Sequence, residues 1–121
     1  NHLFFNTLPL LVLSDFILIQ GLPFFLKVTI YIGFISGSLI WLLAKPGIHI
    51  GASAIITGYW AFLVSGIYEQ ATPVAIILGA LSLYYFAGIF FGIFPARKGI
   101  SWEGHLFGLF AGIITTVLLR Q

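Results

Sequence analysis

The chain has 121 residues, 60% of them hydrophobic and 7% charged, and its mean hydropathy is +1.14. A soluble domain carries about 25% charged residues, so this composition excludes a soluble monomer and makes lipid the expected solvent. Five bases against three acids, with no basic run, exclude a nucleic-acid surface, and the lack of cysteine excludes disulfides and thiolate-bound metals.

Short clusters of Gly, Pro and charge divide the chain into apolar runs. The first predicted span covers Leu3 to Ile19 and ends at Gln20-Gly21. The second runs from Pro23 to Ala44, with proline tolerated in a first helical turn. Lys45-Pro46-Gly47 breaks the chain, and a third span follows from Gly51 to Ile67. Glu69 to Pro73 forms a turn, and the fourth span runs from Val74 to Phe94. Pro95 to Ser101 is a polar connection before the fifth span, Trp102 to Leu119. At roughly 20 residues per span, five spans use about 100 positions. The expected fold is therefore all-α, a polytopic transmembrane bundle forming one domain over residues 1–121. The absence of methionine and of a basic leader suggests a fragment of a longer polypeptide rather than a chain with a signal peptide.

Short loops force neighbouring helices to alternate in direction, so the starts of spans one, three and five share one membrane face. His2 and Asn6, then His49 and Ser53, then His105 all fall at those starts. Polar groups inside a span are costly without partners and are functional candidates for that reason. Ser53 lies in the first turn of its span, where free backbone N–H groups and the helix dipole favour a developing oxyanion. The plain alternative is a serine bonded back to its own helix. A serine nucleophile needs a base, and His105 is on the same face. Its own plain alternative is an imidazole bonded to a carbonyl.

No acid completes a triad. Asp15 lies 13 residues beyond His2, about 20 Å deeper, Glu69 belongs to the opposite face, and Glu103 is two residues from His105, where helical side chains diverge. A Ser–His dyad is the expectation. His2 and Asn6 are four residues apart, hence neighbours on one side of span one, and both can donate toward the mouth of the bundle. Alternatively, they mark the water boundary. Gly104, Gly108 and Gly112 form a stripe that lets span five approach another backbone closely and so sets the position of His105. Gly33 with Gly37, and Gly88 with Gly92, are expected to pack helices and nothing more. A metal-dependent enzyme is a further alternative, with zinc held by His2, His49 and His105; the favoured expectation is no metal and no cofactor.

The segments His2-Leu3-Phe4-Phe5-Asn6, His49-Ile50-Gly51-Ala52-Ser53 and Trp102-Glu103-Gly104-His105-Leu106-Phe107-Gly108 resemble, in order, three motifs of the rhomboid intramembrane serine proteases. They match the HxxxN motif of the second family helix, the approach to the GxSG serine and the final catalytic helix. The resemblance covers helices two to six of the six-helix core, with the first helix and its following loop absent. It implies Ser53 as nucleophile, His105 as general base, and His2, Asn6 and the Gly51–Ser53 segment as the oxyanion and substrate-binding region. It also implies a multi-pass protein, of the plasma membrane, whose active site faces the non-cytoplasmic side and whose substrates are other proteins' transmembrane helices. Ala54 stands where the family usually has glycine, and Thr57 where it often has an aromatic residue. The alternative these positions imply is a rhomboid-like protein that binds transmembrane helices without cutting them. Lys45, Arg97 and Lys98 on one face against Lys27 and Arg120 on the other leave the orientation open.

Overall fold

A computed structural model describes residues 2–43, 51–87 and 102–119, with side chains from residues 8, 54 and 105 onward in their respective segments. Among the described residues five helices follow one another: α1 (His2–Leu18), α2 (Leu22–Leu43), α3 (Gly51–Glu69), α4 (Pro73–Phe86) and α5 (Trp102–Leu118). The described part is an all-α bundle. The expected starts of the third and fifth spans coincide with those of α3 and α5. The remainder of the expected fourth span, beyond Ala87, lies outside the described residues.

Local chemistry explains the turns. After α1 the helix tightens, with the Gln20 N–H bonded to the Ile17 carbonyl at 3.0 Å and the Gly21 N–H to that of Leu18 at 2.8 Å. Gly21 then takes φ +119°, a conformation that a side chain would strain. At the end of α3, both Gln70 and Ala71 donate to the Gly66 carbonyl, at 3.1 and 3.0 Å. Thr72 caps α4 by accepting from the Ala75 N–H at 3.1 Å, and Pro73 occupies the first helical turn, where its missing N–H costs nothing.

Contacts between helices fix their directions. Gln70 donates to Gln20 across 3.4 Å, so α1 and α3 end together. Thr29 and Tyr59 share a 2.7 Å hydrogen bond, and Gly33 lies near Ile55, so α2 runs antiparallel to α3. The Trp60 indole donates to the Ser82 carbonyl at 2.9 Å, and Gly66 lies beside Ala75, so α4 is antiparallel as well. The starts of α1, α3 and α5 thus lie at one end of the bundle, as loop length required.

The core is built around α3, which touches the other four helices. Ile56, Tyr59, Trp60, Ala61, Phe62 and Leu63 are buried against Leu13 and Ile17 of α1, Val28 and Ile32 of α2, Leu78 of α4 and Ala111 of α5. Buried hydroxyls turn back on their own helices: Ser36 on the Ile32 carbonyl at 2.6 Å, Ser82 on Leu78 at 2.8 Å and Thr115 on Ala111 at 2.7 Å. The outside is apolar too, with Leu11, Ile30, Phe34, Trp41 and Ile77 exposed. Water would not tolerate so extensive an apolar surface on a monomer. Among the described residues α2, with 22 residues, is the helix long and apolar enough by itself to cross a membrane; Leu8–Leu18, Pro73–Phe86 and His105–Leu118 are shorter apolar stretches.

Candidate active site

Three helix starts frame the candidate site. His2 opens α1 and Asn6 follows one turn later; Gly51 opens α3 with Ser53 in its first turn; and His105 lies in the first turn of α5. The side chains of His2, Asn6 and Ser53, and all of His49, lie outside the described residues. The backbone placement comes from the glycine stripe of α5. A Cβ on Gly108 would strike the Ala54 carbonyl oxygen and lie 3.0 Å from both the Ala54 carbonyl carbon and its Cα. One turn on, a Cβ on Gly112 would strike the Gly58 carbonyl oxygen and lie 2.8 Å from the Ala61 Cβ. Gly58 in turn faces the Gly108 carbonyl at 3.3 Å. The two helices run parallel and in contact backbone to backbone, a separation only small residues permit.

This clamp sets the register of the two chemical residues. Ser53 precedes Ala54, the residue that Gly108 touches. His105 precedes Gly108 by three positions and so shares its face of α5. The first turns of α3 and α5 therefore stand side by side, at one depth in the bundle. His105 is half-buried, while Ala54 and Thr57, flanking the same crossing, are 2% and 0% exposed. Gly104 extends the stripe into the first turn of α5, but its surroundings lie outside the described residues.

Two of the three acids are elsewhere. Asp15 is exposed on α1, and Glu69 closes α3 at the opposite end of the bundle; the Glu103 side chain lies outside the described residues. Among the described residues no cluster of three or more His, Cys, Asp or Glu side chains forms, though the His2 and His49 side chains are not among them.

One expectation needs correction. Among the described residues, Gly37 has nothing within 4 Å of a Cβ built on it, and Gly33 meets only the tip of Ile55 at 4.0 Å. They do not form a close helix crossing, because α2 meets α3 through Ile32, seated on Gly58, and through the Thr29–Tyr59 hydrogen bond. Gly88 and Gly92 lie outside the described residues. Conversely, Gly58 and Gly79 are tight crossings that the glycine reading passed over; a Cβ on Gly79 would lie 2.5 Å from the Leu63 carbonyl oxygen. Their signal was present in Ala54-x-x-x-Gly58 and Ala75-x-x-x-Gly79, the same small-residue spacing with alanine as one member.

The family model described as Rhomboid domain matches residues 1–121. An uncharacterized protein of Mycobacterium leprae is 37% identical over 129 residues, covering 98% of this chain and 51% of that protein. An uncharacterized protein of Mycobacterium tuberculosis is also 37% identical over 129 residues, covering 98% of this chain and 53% of its own length. The chain thus spans about half the length of the curated relatives it matches. No solved structure matches it significantly. The matched length, together with the helical bundle and its apolar exterior, leads to one assignment: the chain belongs to the rhomboid family, membrane-embedded proteins of the intramembrane serine-protease type.

Proposed function

We propose that the chain is the catalytic core of a multi-pass intramembrane serine endopeptidase, which hydrolyses peptide bonds in or near the transmembrane helices of other membrane proteins. The observation that carries this reading is the contact of Gly108 with the Ala54 backbone, which stands the His105 turn of α5 beside the Ser53 turn of α3. In the proposed reaction the Ser53 hydroxyl attacks the scissile carbonyl while His105 takes its proton. The tetrahedral oxyanion is held by the Ser53 N–H at the start of α3, with His2 and Asn6 as further donors and Gly51 giving the substrate backbone room to approach. His105 then passes its proton to the leaving amine, and the acyl-enzyme forms. Water, activated by the same imidazole, releases the second product and restores the serine. The dyad works without a carboxylate: Asp15 and Glu69 belong to the other end of the bundle, and Glu103 is two residues from His105, where helical side chains diverge. On this reading the protein sits in the plasma membrane with its site open to the non-cytoplasmic side, needs no cofactor, and takes water through a polar opening between the helix starts.

The test is cleavage of a model transmembrane substrate together with labelling by a fluorophosphonate. Wild type should cut and label, whereas Ser53→Ala should do neither and His105→Ala should lose cleavage. Wild-type protein that folds but neither cuts nor labels sinks the reading.

A second reading has its own observation. Ala54 is almost completely buried beside the clamp, at the position where the family usually has glycine, and Thr57 replaces an aromatic residue one turn below Ser53. A methyl group there could displace the serine, leaving a protein that holds transmembrane helices without cutting them. Ala54→Gly separates the two: appearance of cleavage in that variant alone would favour the binding protein.

A further inference from the structure

A second feature lies between α2 and α5. Ile30, Tyr31, Phe34, Ile35 and Leu118 line an open groove of about 390 Å³. That is within the range of about 300–1,000 Å³ typical of small-molecule sites, and the lining has the usual character of such sites, apolar with one hydroxyl. Lys27 lies three, four and seven positions before Ile30, Tyr31 and Phe34, so all four share one face of α2. Lys27 is exposed, and among the described residues no carboxylate is paired with it. It stands five residues into α2, about 7.5 Å from the start of the helix. At that depth a lysine lays its aliphatic stem along apolar surface and carries its ammonium out to the headgroups. The groove then leads deeper along α2, toward Phe34 and Ile35.

We propose that this groove binds one anionic phospholipid of the leaflet at the Gly21 end of the bundle. Its phosphate sits on Lys27, and one acyl chain lies along Ile30, Phe34 and Ile35 against Leu118. Charge complementarity selects the headgroup and the apolar lining selects the chain; each lysine near the membrane surface attracts anionic lipid by about 1 kcal/mol. The proposal is independent of the cleavage reading, since neither Lys27 nor any residue lining the groove belongs to the proposed catalytic set.

Native mass spectrometry of the purified protein, titrated with phosphatidylglycerol and phosphatidylcholine of identical acyl chains, tests it. Wild type should take up phosphatidylglycerol about fivefold better, the ratio expected for one cation near an anionic headgroup. Lys27→Gln should abolish that preference and Lys27→Arg should keep it. Ile30→Trp, at a position already exposed, should fill the groove and weaken uptake of both lipids without loss of folded protein. Equal uptake by wild type, or a preference that survives Lys27→Gln, would overturn the proposal. So would a lipid-free dimer in the same spectra, which would give the groove to a second copy of the chain.

Discussion

The two sides of α5 are built in opposite ways. Toward α3 it presents Gly108 and Gly112, and the helices meet at their backbones with no side chain larger than the Ala61 methyl at the contact. Toward α2, with which it is also closely packed, it presents Leu118, and there the large side chains of Ile30, Tyr31 and Phe34 border an open groove. The first contact can vary only by moving a backbone, so it fixes a register. The second can be filled, emptied or repacked without moving the helix. Chemistry that depends on ångström placement belongs beside the first, and an exchangeable lipid belongs beside the second.

That contrast orders the expected effects of substitution. Gly108→Val should be the most damaging. It forces a branched side chain into the Ala54 carbonyl, and should cost about 1–3 kcal/mol or more and, with misplacement of about 1 Å, over a hundredfold in cleavage rate. Unfolding in detergent and substrate cleavage would check both, and near-wild-type values would break the comparison. Gly112→Ala meets the Gly58 carbonyl and the Ala61 methyl. It should also cost about 1–3 kcal/mol, but with a smaller loss of activity, since it lies two turns from His105. Tyr59→Phe removes the hydrogen bond from α3 to Thr29 and should cost about 1 kcal/mol, with cleavage unchanged. The smallest effect, and of opposite sign, is expected at Gly37. Alanine there meets none of the described residues and should raise stability by about 0.5–1 kcal/mol, because glycine is a poor residue inside a helix. A loss of stability would mean that α2 is covered on that side.

Much of this arrangement could be read from the residues. The helix starts at Gly51 and Trp102, the turn at Gln20-Gly21 and the shared end of α1, α3 and α5 follow from apolar run lengths and turn chemistry. So does the clamp of Gly108 and Gly112, whose spacing announces a close approach. What spacing does not contain is the identity of the surface opposite. Gly33 and Gly37 have the same four-residue interval, yet among the described residues no backbone comes near Gly37. Gly58 and Gly79 looked isolated because their small partners are alanines. The groove was invisible for a related reason, since it arises from the fit of α2 to α5, and residues that line a gap have the same composition as those that fill one. The residues of the proposed dyad could be named from type, position and family resemblance, but their depth relative to each other depends on which carbonyl Gly108 meets.

The central position of α3 has a consequence for biosynthesis. Helices leave the ribosome in chain order, so α3 is inserted with its Ala54 and Gly58 carbonyls uncovered and waits while α4 and the connection to α5 are made. Only when α5 arrives does its glycine edge close over them and bring the proposed base beside the turn that carries the proposed nucleophile. A chain released before Trp102 would carry the proposed nucleophile and lack its base, so on this reading unfinished molecules are harmless to the membrane in which they are being made.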